Sequence, residues 1–178
     1  MYAVFALAGV QFASFTSRIP EVKAHLGLTA GELGLTLLAV SVGSLCGLPA
    51  AGWLVHRFGA ARTTRTGLLA ATVGMVLAGV AVDAFGSRPL LTGALALAGL
   101  GIGSWDVAMN IEGAAVEQAL GQAIMPRFHA AFSGGTVLSA LVGAGVSRAG
   151  IAVHWHLIVV SVLVAIPARL TPAPTRSE

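Results

Sequence analysis

Only one residue in ten of this chain carries a charge: 10 Lys and Arg against 7 Asp and Glu in 178 residues. Average soluble domains carry about a quarter, and a shortfall of this size excludes an ordinary globular core. Aromatic residues are scarce at 6%, and Cys46 is the single cysteine. No internal disulfide can form from it, and its place inside an apolar run reads as a small buried side chain. The first apolar run begins without a preceding Lys or Arg, so the charged region of a secretory signal peptide is missing. No metal is expected, and no cofactor.

What fills the chain instead is apolar. Hydrophobic residues make up 56% and glycine contributes 23 positions, with a mean hydropathy of +0.88. Glycine is more frequent in membrane helices than in soluble ones. The composition indicates a polytopic membrane protein with the lipid bilayer as its first partner. The net charge of +3 and pI near 10.0 do not point to nucleic acid. The basic residues are few and fall between apolar runs, not in a patch, which the positive-inside bias explains.

A membrane helix needs about 20 mostly apolar residues. Six runs approach or meet this, at 1–17, 33–55, 66–82, 89–111, 128–147 and 149–168. None alternates with period 2, which excludes barrel strands. The fold class expected is all-α, with six transmembrane helices forming one bundle over 1–170. The Pro-rich stretch TPAPTRSE at 171–178 reads as a cytoplasmic tail or the start of a central linker. Thr29 and Glu32 have the spacing of a capping box just before the second run. If the N-terminus is inside, Arg57, Arg62, Arg65, Arg127, Arg169 and Arg176 are inside, and Arg18, Lys23, Arg88 and Arg148 outside. The bias places both termini in the cytoplasm of a bacterium, with the chain in its plasma (inner) membrane.

The stretch GIGSWDVAMNIEG at 101–113 breaks the apolar rule, with Asp106, Asn110 and Glu112 in the fourth run. Asp106 and Asn110 are four apart and share a helix face, which Gly113 and Glu117 continue. Asp106 lies about 8 Å from the end of the run at Ile111, counting 1.5 Å per residue. A charge at that depth costs about 2.5–3.5 kcal/mol on insertion scales and marks a bundle interior or an aqueous cavity. The alternative is that Asp106 pairs with a neighbouring helix and fixes packing. Glu112 falls on another face and reads as solvated. The glycines at 99, 101 and 103 are two apart, so they thin the helix on more than one side. With no strand before them they are not a nucleotide loop. Gln11 is polar at membrane depth and is a further cavity candidate. His129 reads as interfacial. His154 and His156 point to opposite sides and make no zinc pair. Gly134, Gly135, Gly143 and Gly145 read as close-packing positions.

GWLVHRFGAAR at 52–62 resembles the cytoplasmic loop between helices two and three of the major facilitator superfamily. Gly52, Arg57, Gly59 and Arg62 match that signature, while His56 stands where an acid is usual and Ala60 and Ala61 where basic residues are common. Gly52 would allow close helix approach, and Gly59 a tight turn. In the family the acid helps latch an inside gate, so His56 puts that latch in doubt. SRIP at 17–20 and PRFHAAFSGG at 126–135 extend the resemblance along the chain. The Asp106–Asn110 spacing is similar to a pattern in the fucose–proton symporter-like branch. There the acid takes part in proton coupling and the asparagine lies in the sugar cavity. That branch also has an acid on helix one, where this chain offers Gln11, Ser14 and Thr16. The resemblance implies a secondary active transporter, a symporter for a small and sugar-like solute, not an enzyme. It also implies that a complete transporter would need a second six-helix bundle or a homodimer, and that this chain is a half or a truncated product. A non-transporting remnant is the alternative. An intramembrane enzyme is a weaker one: Phe132-Ser133-Gly134-Gly135 lacks the glycine two before the serine of a rhomboid-type site.

Overall fold

The computed structural model describes residues 1–170, with side chains to 166; the tail or linker expected at 171–178 lies outside the described residues. All regular structure among them is helical. The helices are α1 (Tyr2–Thr16), α2 (Ile19–His25), α3 (Ala30–Phe58), α4 (Ala60–Asp83), α5 (Arg88–Leu120), α6 (Met125–Arg148) and α7 (Val153–Leu170). The six long ones correspond to the six apolar runs. The seventh, α2, falls on SRIP and the residues after it, where no helix is expected from hydropathy. Pro20 sits in its first turn, where a missing N–H costs nothing.

Among the described residues, four helices, α3 to α6, are long and apolar enough to cross a membrane. At 15 residues, α1 spans about 22 Å, short of a hydrocarbon core of about 30 Å. The helices alternate in direction, so two ends of the bundle can be named. The α2 end holds the α4–α5 and α6–α7 turns. The Gly59 end holds the α3–α4 and α5–α6 turns.

Helix boundaries follow local chemistry more than hydropathy. Thr29 and Glu32 form the expected capping box, each side chain bonded to the other's backbone N–H. α5 runs nine residues past the apolar run and stops at Gly121, which is left-handed at φ +61°. Measured to that end, Asp106 is about 21 Å inside the helix. The loop expected within 52–62 shrinks to one residue. Gly59, at φ +87°, turns α3 directly into α4, in a conformation that L side chains avoid. Arg57 therefore ends one helix, and Arg62 and Arg65 begin the next.

The core is set by backbone contact at glycine. A Cβ on Gly99 or Gly103 would strike the α3 backbone at Val40 and Ser44, and Gly43 and Gly47 return the approach against Ala96 and Leu100. On the opposite side, a Cβ on Gly101 would strike the α4 backbone at Ala71 N and Gly67 O. α5 is thus wedged between α3 and α4. A second seam joins α1 to α6, where Gly9 meets Phe132 and Gly135 meets Ala6. Without a hydrophobic driving force between helices in lipid, such close packing is what holds them. Gly143 packs against Ser17 as well, but Gly134 and Gly145 have open space around them and do not serve packing within this chain. The same correction applies to Gly52, which is exposed on α3 with nothing within 4 Å. Cys46, expected to be buried, is exposed on that helix too. Both lie on the part of α3 that is left exposed among the described residues.

Gly101→Val should therefore lower the thermal midpoint of the purified chain in detergent, by an overpacking cost of about 1–3 kcal/mol. Gly134→Ala, in open space on a helix, should leave the midpoint unchanged or raise it slightly. A Gly101→Val chain as stable as the parent would contradict the wedge.

Candidate functional site

With α3 and α4 on two sides of α5, one arc of that helix remains. Ile102, Trp105, Asp106 and Met109 occupy it at spacings of three and four, which share a helix face. The arc looks toward α1 and α6. Together with Ala8, Gln11 and Phe12 of α1 and Phe132 of α6, these four residues enclose a cavity of about 110 Å³. The structure thus brings Gln11 and Asp106, 95 positions apart in the sequence, to one site.

The cavity is mostly apolar, with three polar groups converging on it. Gln11 is 2% exposed and Trp105 is buried to the same degree. Gln11 Oε1 and Trp105 Nε1 have no hydrogen-bond partner among the described residues. One is an acceptor and the other a donor. Asp106 is exposed at the side of the cavity. An apolar pocket with a few placed polar groups is the common form of a small-molecule site. Trp105 was not singled out by sequence reasoning. Its indole N–H in an apolar run was a usable signal, since buried Trp usually finds a partner.

Asn110 is not part of the cavity wall. Its Nδ2 donates to Asp106 O at 2.8 Å and to Asp106 Oδ1 at 3.3 Å. It acts on the cavity through the carboxylate that it orients. Asp106 has no partner on a neighbouring helix among the described residues; its hydrogen bonds stay on α5. Gly113 packs against Met125 and Phe128. Glu117 Oε2 accepts from Met125 N at 2.6 Å, so the polar face that begins at Asp106 ends by capping α6. Glu112 is half-buried. His129 lies at the start of α6, with its ring 5.3 Å from that of Phe5 and Nδ1 3.1 Å from Met125 O.

The residues of the expected gating segment lie at the Gly59 end, away from the cavity. His56, Arg57 and Arg62 are exposed. The Arg57 guanidinium sits 5.6 Å from the Phe58 ring centroid, and Trp53 meets Phe58 edge-on at 5.9 Å. No ion pair holds Arg57, Arg62 or Arg65 among the described residues. At the α2 end two of the four bases are paired: Arg88 with Glu32 at 3.2 Å, and Arg18 with Glu21 at 3.7 Å.

Because Asp106 bonds only within its own helix, Asp106→Leu should leave the thermal midpoint unchanged or raise it. Breaking a buried interhelical ion pair would cost about 3–5 kcal/mol. A large fall in the midpoint would restore the packing reading of this aspartate.

Comparison with known proteins agrees with a transporter. The chain is 33% identical over 162 residues to an uncharacterised transporter of Sinorhizobium fredii, covering 91% of this chain and 42% of that protein. It is 35% identical over 136 residues to an uncharacterised MFS-type transporter of Yersinia pestis, covering 76% of this chain and 34% of the relative. The membrane protein MosC of Rhizobium meliloti is 28% identical over 158 residues, 89% of this chain and 36% of its own length. The chain spans less than half the length of each of these relatives. No family model and no solved structure matches it. The chain is an all-helical, multi-pass membrane protein similar over most of its length to membrane transporters, one of them named as of the MFS (major facilitator) type.

Proposed function

We propose that this chain forms one six-helix half of a secondary active transporter for a small solute. The observation that carries the proposal is the cavity in which Gln11, Trp105 and Asp106 converge, with Asp106 making no cross-helix hydrogen bond or ion pair among the described residues. Alternating access needs two repeats or bundles around a site near the midplane, and this cavity lies near the middle of α5. The second wall is a further six-helix bundle or a second copy. The uncovered faces of α3 and α6, with Leu45 at 66% and Leu141 at 68% exposed, are the surfaces it would meet alongside lipid. In this reading all six long helices cross the bacterial inner membrane, the Gly59 end faces the cytoplasm, and both termini lie there. The cluster of unpaired arginines Arg57, Arg62 and Arg65 at that end supports this orientation.

The solute is neutral and hydroxylated, as the likeness to the fucose–proton symporter-like branch suggests. A donor at Trp105, an acceptor at Gln11 and apolar walls suit a sugar-like molecule. Asp106 is the proton-coupling group, with Asn110 as the residue that holds its carboxylate. Gly52, His56, Arg57, Gly59 and Arg62 form the cytoplasmic gating segment. Without an acid at position 56, Arg57 has no partner inside the segment, so any latch must be closed by an acid from the second bundle.

Two experiments test this reading. Single cysteines at Ala61 and Ser87, in a Cys46→Ser background, should label from opposite sides of the membrane; labelling from one side would refute the topology. In the complete transporter, Asp106→Asn should abolish proton-driven accumulation and spare passive exchange of substrate. Equal loss of both modes would remove Asp106 from coupling.

A further inference from the structure

The buried polar atoms that lack a partner are not scattered through the bundle. Ten side-chain N or O atoms are in this state among the described residues, and six belong to Gln11, Arg18, Glu21 and His156. They are Gln11 Oε1, Arg18 Nε and Nη1, Glu21 Oε2, and both ring nitrogens of His156. Gln11, Ser14, Arg18 and Glu21 follow one another at spacings of three and four, along one face of α1 continued into α2. Gln11, Ser14 and Arg18 are each 2% exposed.

α6 answers with small and hydroxyl residues at intervals of four. Ser139 Oγ is 2.8 Å from Ser14 Oγ, and Ser147 Oγ donates to Glu21 Oε1. Between them, Gly143 lies against Ser17 and the His156 ring. Ser17 Oγ donates to Ser14 O at 3.1 Å, which closes the gap along α1. The face has an opening at each end. Gln11 lines the Asp106 cavity. Arg18 and Glu21 line a separate open pocket of about 430 Å³ at the α2 end, with His25, Asp83 and His154 on its far side. From Gln11 to Arg18 the helix rises about 10 Å, three or four water diameters.

Buried polar groups in proteins are almost always satisfied, by protein or by ordered water. Here the unsatisfied atoms stand at the two ends of one polar face, Gln11 at the Asp106 cavity and Arg18, Glu21 and His156 toward the α2 end, with the Ser14–Ser139 hydroxyl pair between them. We infer that this face of α1 is a hydrated track, in which water at each end and the Ser14–Ser139 hydroxyl pair between them join the pocket at the α2 end to the Asp106 cavity and carry protons between them. The proton role rests on Asp106 being the coupling group; the presence of the track does not.

The charges along the track are compatible with proton movement. Arg18 alone would repel a proton, but Glu21 lies 3.7 Å from it. Burial pushes the Glu21 carboxyl up, and the hydrogen bonds from Ser147 and its own backbone, with the Arg18 charge, outweigh this and hold it below its ordinary range. Glu21 is therefore ionised at neutral pH and offsets Arg18. Asp83, on the far wall, is held by His154 at 2.8 Å and by His25 at 3.8 Å. His156 is left as the group on the track that can accept a proton on one nitrogen and release one from the other. Arg18 and Glu21 are the charged groups that face it.

Water-edited solid-state NMR of the labelled chain in lipid bilayers tests the track directly and needs no transport activity. Magnetisation from water should reach the His156 ring and the Ser14 side chain as fast as it reaches exposed His25. Transfer as slow as at Ala98, which is fully buried, would overturn the proposal. Ser139→Val should plug the track between them: transfer to Gln11 slows while that to His156 persists, and Ser139→Ala leaves both. If Gln11 keeps its rate in the folded Ser139→Val chain, the two cavities are not joined. For the proton role, the carboxyl infrared band of Asp106, assigned by its loss in Asp106→Asn, should follow a pH jump applied at the α2 end of vesicle-embedded chains. His156→Phe should slow that response. An unchanged response would remove proton conduction, whatever the water signals show.

Discussion

The close approach of three helix backbones at glycine is the constraint on which the rest of this structure depends. In lipid, apolar side chains gain nothing from meeting one another in preference to acyl chains, so contact must come from packing at short range. Gly99 and Gly103 let α5 lie against α3, and Gly101 lets the same helix lie against α4. Two opposite sides of α5 are occupied as a result. Its third side, which carries Trp105 and Asp106, is turned toward α1. A side chain at any of these glycines would separate the helices and rotate that arc away from Gln11.

The polar groups divide the bundle by height. Near the Gly59 end, exposed arginines and aromatic rings lie where headgroups and water would solvate them. At the α2 end, polar pairs join neighbouring residues: the ion pairs of Arg88 with Glu32 and Arg18 with Glu21, and the hydrogen-bonded Asp83 and His154. Arg18 also donates from Nη2 to Ile151 O at 2.6 Å, and Asp83 accepts from His154 N at 2.7 Å, which fixes the start of α7. Between the two ends the charge thins to Asp106. Its carboxylate bonds to Asn110 of its own helix and to no other helix among the described residues. That arrangement is one of orientation, since a same-helix amide holds a carboxylate in place without tying two helices together.

Much of this was legible in the sequence, for reasons that can be given residue by residue. Six apolar runs correspond to six long helices because a helix pairs its own backbone N–H and C=O groups, which apolar surroundings leave without water as a partner. The Thr29–Glu32 cap could be read because its bonds span three residues. Gly59 could be read because a sharp turn between two helices demands a positive φ. The extension of α5 past Ile111 could not, since hydropathy marks where a helix leaves lipid and not where its hydrogen bonds end; Gly121, in the left-handed conformation, sets the stop. The helix over Ile19–His25 was hidden in the same way, being too short and too polar to register as a run.

The sequence by itself determined the class of the protein, the number and approximate extent of its long helices, and the isolation of Asp106 in an apolar segment. These are properties of composition and of contacts within a few residues. Only the tertiary structure decided which side each residue faces. It set Gln11 beside Asp106 and placed Asn110 behind the carboxylate instead of in the cavity wall. It also exposed Gly52 and Cys46, and used Gly135 and Gly143 for packing while leaving Gly134 and Gly145 in the open. The physical reason is that a helix presents all its faces equally in the sequence. Which face is buried depends on the neighbour that comes within reach, and here that neighbour is chosen by small residues on two helices at once.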